Sequence, residues 1–270
     1  MFSRFAFAAI AASFFISSVN AQELVLAINE GVTYADGGPT AERYKPLLDL
    51  LSKELKRPIK VQKVDKYADF EKGLAESKYD LVFIHPAHVG LKAVRSNNYV
   101  GLVTAKGFTD YRARVMVKQD SPLKSMQDLK DRKIGVPSIE SITTFMFTAD
   151  LRQRSFNDTE KKFIATRYQD AVPFMIENGF VDAGVTASGA VAKAWVAKGG
   201  RIIGETEPVP IKQFLASKKI EESDRAKVQS LLLNLSENEP GKNALSKISM
   251  SGFVPWNNEQ MTNAAKRLGL

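Results

Sequence analysis

The chain has 270 residues, 44% of them hydrophobic and 25% charged, which is enough for one large domain or two lobes and argues against bulk disorder. It contains no cysteine, so disulfide scaffolds, thiolate nucleophiles and Cys-ligated metals are excluded. The formal charge of +8 points to an acidic partner. Its Lys and Arg residues are scattered rather than gathered into a basic stripe with aromatics, which argues against nucleic acid and leaves an anionic membrane surface or an anionic small molecule.

The first 21 residues carry one early positive charge, Arg4, then an apolar core from Phe5 to Ile16 that is too short for a membrane span. They end in Val19-Asn20-Ala21, the small-x-small pattern of a cleavage site. The expectation is an export signal removed after Ala21, leaving a mature chain from Gln22 with a charge of +7. No cysteine follows the cleavage site to take a lipid, so the expected location is the periplasm, free of a lipid anchor.

Strands and helices then alternate. LVLAIN over 24–29 reads as a buried strand, followed by the loop NEGVTYADGGPT, in which Tyr34 could reach a ligand. Thr40 is expected to cap a helix whose apolar positions Tyr44, Leu47, Leu48, Leu51 and Leu55 recur at helical spacing. A strand over 59–64, a helix over 67–77, the strongly apolar strand YDLVFIH over 79–85, a short helix over 87–95 and a strand over 99–105 complete a first unit. His85 and His88 lie three apart, but the Pro86 between them breaks a continuous helix, so neither a metal nor another cofactor is implied.

A second unit opens after Gly107 with the strand YRARVMVK over 111–118, where Tyr111 lies at the crossing between units. At its centre is KIGVPSIESITTFMF over 133–147, read as a short buried strand, a hydroxyl-bearing loop and the start of a helix. Ser138, Ser141, Thr143 and Thr144 crowd that helix start. A helix N-terminus offers unpaired N–H groups and partial positive charge, so these hydroxyls read either as ordinary caps or as donors to a bound oxyanion. A strand over 162–165, a helix over 169–178, a strand over 181–186, a helix over 188–197 and a strand over 201–205 follow. From Pro208 the stretch PVPIKQFLAS reads as a return crossover, before helices over 221–236, 239–248 and 257–268. Trp195 and Trp256 read as core anchors. The β-α repeats and two crossings imply an α/β protein of two lobes, 22–107 with 208–270 and 108–207, with a ligand cleft between them lined by loops at the carboxyl ends of the strands.

Four stretches in this order carry a resemblance to a known family. They are YDLVFIHPAHV, YRARVMVKQDSPLKSMQDLKDRKIGVPS, SITTF and DAVPFMIENGFVDAG. Together they resemble the phosphate/phosphite/phosphonate-type periplasmic substrate-binding proteins of ABC transporters. The resemblance implies a type II-like two-lobed binding-protein fold, closure around a small anionic ligand, and delivery to an ABC transporter permease in the inner membrane. It implies a monomer with no catalytic residue. SITTF resembles the family's Ser-Thr-Ser-Gly loop, which donates hydrogen bonds to phosphonyl oxygens. Ser141 and Thr143 match its two serines, whereas Ile142 and Thr144 depart from it. Asp182 resembles the family's Asp in the Gly-x-Val-Asp-Ala segment, where it would orient a ligand group or bond nearby backbone. Further departures are Ile84 where a phenol is often found, His85 where glycine is usual, and Tyr168-Gln169 in place of a His. The expected ligand set is therefore Ser138, Ser141, Thr143, Thr144, His85, Tyr34, Tyr111 and Asp182. Phosphate, phosphonate, phosphite, sulfonate and carboxylate all suit such a helix start. A sensory protein docking a receptor, and an enzyme using His85 and Asp182 as acid and base, are the competing classes.

Overall fold

A computed structural model describes residues 22–31, 39–156 and 158–270; the export segment and Tyr34 lie outside the described residues. Among the described residues the strands form two sheets. The first contains β1 (Leu24–Asn29), β2 (Ile59–Lys63), β3 (Leu81–Ile84), β4 (Tyr99–Ala105), β10 (Gln213–Ser217) and β11 (Phe253–Pro255), in the order β11-β4-β10-β3-β1-β2. The second contains β5 (Arg114–Val117), β6 (Ile134–Val136), β7 (Phe163–Ala165), β8 (Ala183–Thr186) and β9 (Arg201–Glu205), in the order β7-β6-β8-β5-β9. Helices α1 (Thr40–Leu55), α2 (Tyr67–Ala75), α3 (Ala87–Arg95), α7 (Glu222–Asn234), α8 (Glu239–Lys247) and α9 (Asn258–Arg267) flank the first sheet. Helices α4 (Ile142–Gln153), α5 (Val172–Glu177) and α6 (Gly189–Ala197) flank the second. This is a mixed α/β, two-lobed architecture, one lobe on each sheet.

Both sheets follow one plan. Within the first, β1 is parallel to β2 and β3, and β10 inserts antiparallel between β3 and β4. Within the second, β6 is parallel to β7 and β8, and β5 inserts antiparallel between β8 and β9. Each inserted strand is the first one formed after the chain crosses from the other lobe. The two crossings run side by side: Val209 N–H donates to the Tyr111 carbonyl at 2.9 Å, and Ile211 N–H to that of Phe108 at 2.9 Å.

The inner parallel strands β1, β3, β6 and β8 are buried on both faces, as near-continuous apolar runs require, whereas the edge strands β2 and β7 are partly exposed. Side chains alternate across the first sheet: Leu24, Leu26, Ile28 and Phe83 pack toward α1, α7 and α8, whereas Ala27, Val82 and Ile84 face α2 and α3. Across the second, Val115, Ile134 and Val185 join Phe147 and Leu151 of α4, while Met116 joins Val172 and Ile176 of α5. Gly184 permits that α5 contact, since a Cβ there would lie 2.4 Å from Val172.

The elements differ from the expectations at several points. QFLAS is a fully buried central strand, not a linker, and β11 is a further short strand. Thr40 is the first residue of α1 rather than its cap, which is Pro39. The helix expected over 169–178 divides into a 3-10 turn, Gln169–Ala171, and α5.

Candidate functional site

The parallel strands of both lobes end toward the crossings, so the loops after β1, β3, β6 and β8 and the N-termini of α3, α4 and α6 converge there. Asn29 fixes the first of these loops: its amide donates to the Val64 carbonyl at 2.8 Å and its oxygen accepts from Gly31 N–H at 2.9 Å. Next to it Glu30 accepts from both terminal guanidinium nitrogens of Arg43 and from the Tyr44 hydroxyl at 2.9 Å.

His85 directly follows β3, only 7% exposed, with its ring edge-on to Tyr111 at 6.0 Å. Burial, then the neighbouring Lys212 and His88, push its pKa down to about 3, so it is a neutral imidazole, and its Nδ1 has no hydrogen-bond partner. His88, in the first turn of α3, is likewise pushed to about 3 by burial and Lys92. Its ring lies between Tyr67 of α2, at 6.1 Å, and Phe145 of α4, at 4.6 Å and 10° from coplanar. That second stack joins the two lobes, as does the apolar cluster that Ala87 and Leu91 of α3 share with Ile142 and Met146 of α4. Lys212, in the return crossing, is buried with its ammonium 3.8 Å from the Phe108 ring centroid. Burial lowers its pKa to about 8, with Glu30 opposing the shift. Tyr67 is raised to about 12 by burial, then by Glu140 and Tyr111, and stays a phenol.

The hydroxyls at the start of α4 divide into two roles. Ser141 is the N-cap: its Oγ accepts from Thr144 N–H at 3.2 Å and donates to Thr144 Oγ1 at 3.1 Å. Thr144 in turn donates to the carbonyls of Pro137, at 2.8 Å, and Ser138, at 3.0 Å. These contacts bind the 137–141 loop to the helix and turn Ser141 and Thr144 inward. Ser138, half-buried, contributes its carbonyl to that lattice, also accepting from Ser141 N–H at 2.9 Å. Thr143 points elsewhere, its Oγ1 3.4 Å from the Tyr111 hydroxyl. Among the described residues the N–H groups of Ile142 and Thr143 meet no acceptor, as the first turn of a helix leaves them. The structure therefore brings Thr143, Tyr111 and His85 to one place: phenolic and aliphatic hydroxyls, helix N–H groups and a nearby ammonium, a donor-rich setting suited to an oxyanion.

Asp182 is not part of this group. It precedes β8, at the amino end of the sheet, where its carboxylate accepts from Lys133 N–H at 2.8 Å and its own N–H donates to the Lys133 carbonyl. It ties β8 to β6, and the acid–base pairing with His85 that an enzyme would need is not formed. Arg112 and Arg114 are occupied by Asp110 and Glu205, and Arg167 lies over Tyr168. Trp195 is buried and donates to the Val117 carbonyl, whereas Trp256 is half-buried against Gly101.

Sequence reasoning passed over Gln169, Lys212, Tyr67 and Phe145 as site residues. Gln169 was visible only as a departure from the family's His. Phe145 ends the SITTF stretch but was not singled out, and Lys212 and Tyr67 carried no motif, because linker and helix positions make contact only once the lobes are assembled.

Solved structures share this fold. XAC2383 from Xanthomonas citri, bound to chloride ion, has 15% identity and a TM-score of 0.76, over 92% of this chain and 97% of that one. The same protein bound to ATP gives a TM-score of 0.75 at 14% identity, with 92% and 97% covered. PhnD1 from Prochlorococcus marinus, in complex with methylphosphonate, has 17% identity and a TM-score of 0.68, over 91% and 96%. At these identities the likeness is one of fold. No curated protein is a significant sequence match. A family model described as the periplasmic substrate-binding protein of phosphonate ABC transporters matches residues 32–261, most of the chain, and the chain belongs to that family.

Proposed function

We propose that this protein is a periplasmic solute receptor that closes its lobes, 22–107 with 208–270 and 108–207, on a small phosphonate- or phosphate-like oxyanion and hands it to an ABC permease. The observation that carries this reading is the meeting of Tyr111, from the crossing, with Thr143 and the open N–H groups at the start of α4. An oxyanion seated there gains charge-assisted hydrogen bonds and the helix dipole together. The closed arrangement, with Phe145 of one lobe stacked on His88 of the other, brings donors from both crossing and lobe to the same ligand. Export of the chain, leaving a mature protein from Gln22, rests on the pattern of its first 21 residues.

The test is a thermal-shift screen of Gln22 to Leu270 against phosphate, phosphite, alkyl- and aminophosphonates, sulfonates and carboxylates. A ligand present at about a hundredfold its Kd adds about 2.7 kcal/mol, a rise of several degrees. Stabilisation by one phosphorus oxyanion class is the expected result. A panel that leaves the transition unmoved overturns the reading.

A further inference from the structure

The carboxamide of Gln169 joins three parts of the cleft. Its Oε1 accepts from the Thr186 hydroxyl at 3.0 Å, from Ala187 N–H at 2.6 Å and from Ser188 N–H at 2.9 Å. Two of those donors are backbone N–H groups, which can only donate, so the oxygen end of the amide is fixed by chemistry. The nitrogen end then faces the Tyr111 hydroxyl at 3.2 Å, and an amide nitrogen has only hydrogens to give. Tyr111 is therefore an acceptor toward Gln169, and its one hydrogen is left to point toward α4. Thr143 Oγ1, at 3.4 Å, is farther than the roughly 2.8 Å of a good hydroxyl pair and does not hold it strongly.

We propose that Gln169 is a positioning residue that makes Tyr111 an obligate donor, and that the cleft thereby selects ligands presenting an ionised, acceptor-only oxygen at the start of α4. The inference rests on the oxyanion reading given above. A neutral hydroxyl or a protonated acid oxygen placed there puts hydrogen against hydrogen, or forces Tyr111 to turn away from its partner. A Glu at 169 would keep the three donors of the β8–α6 turn but would have no hydrogen for Tyr111. The phenol would then donate to the carboxylate and be lost to the ligand.

The test is calorimetric titration of the wild-type chain, Gln169→Glu, Tyr111→Phe and the double variant. The probes are methylphosphonate and methanesulfonate, each titrated at several pH values from 6 to 9. Wild-type affinity for methylphosphonate is expected to rise relative to that for methanesulfonate as the phosphonate loses its second proton, while loss of the Lys212 ammonium near pH 8 weakens both probes. Each single variant is expected to weaken methylphosphonate about tenfold or more, the size of one charged hydrogen bond. The double variant should match Tyr111→Phe, since Gln169 acts through that phenol. Gln169→Leu serves as a second probe of the same coupling. Additive losses in the double variant, or wild-type affinity in Gln169→Glu, overturn the role of Gln169 while leaving the oxyanion reading standing. A wild-type chain that binds neither probe overturns both.

Discussion

Lowering the pH from neutral to about 5 is expected to cost the folded protein about 4 kcal/mol through His85 and His88 alone. Both are buried as neutral imidazoles with pKa values pushed from 6.5 to about 3. In the unfolded chain they regain the ordinary value, so between those limits the unfolded state binds more protons and stability falls with pH. The contribution is complete above about pH 6.5 and is lost progressively toward pH 3, at about 1.4 kcal/mol per unit for each ring. By pH 5 that is about 2 kcal/mol apiece. Carboxylates add their own acid dependence, so the informative quantity is a difference between chains. Urea unfolding at pH 7, 6 and 5 should show a steep decline in the wild type and a shallower one in His85→Gln with His88→Phe. The phenylalanine keeps the ring stack with Tyr67 and Phe145 while removing the titrating nitrogens. Parallel declines in the two chains would contradict the assignment.

Thr143→Val and Ser141→Ala should separate ligand binding from helix capping. Valine keeps the branched shape of Thr143, which is 1% exposed, and deletes only the hydroxyl aimed at Tyr111. Affinity for the ligand should fall by about 10- to 100-fold, from the loss of a hydrogen bond to a charged group worth roughly 1.5–3 kcal/mol, with the melting temperature unchanged. Alanine at 141 instead removes the α4 cap and frees Thr144 N–H, at a cost of about 1 kcal/mol in stability with a much smaller change in affinity. The opposite pattern, a stability loss at 143 and an affinity loss at 141, would reverse the division of labour drawn here.

Much of this architecture is legible in the chain. Strands buried on both faces leave apolar runs such as LVLAIN and LVFI, bounded by polar loops, and β-α alternation then dictates a sheet with its loops gathered at one edge. Where the order of elements departs from that alternation, sequence reasoning fails for a physical reason. QFLAS has no polar alternation because all five residues are buried, and the prolines at 208 and 210 make it read as a linker. FVP at β11 is too short to carry any period. The hydroxyl cluster at 138–144 was visible, but not which hydroxyls serve the loop and which the cleft, since that depends on where the Pro137 and Ser138 carbonyls turn. Asp182 drew attention as part of a familiar segment, and its strand direction carries it to the far edge of the sheet. Gln169 meets Tyr111 across 58 residues, a separation no local pattern encodes.

The most direct test of the central claim follows the backbone amides of Ile142 and Thr143 by two-dimensional NMR as methylphosphonate is added. An oxyanion seated at the start of α4 would hydrogen-bond those N–H groups, and their proton resonances should move strongly downfield in proportion to occupancy. Saturable binding of methylphosphonate that leaves both amides in place would show that the ligand sits elsewhere, and would contradict the site.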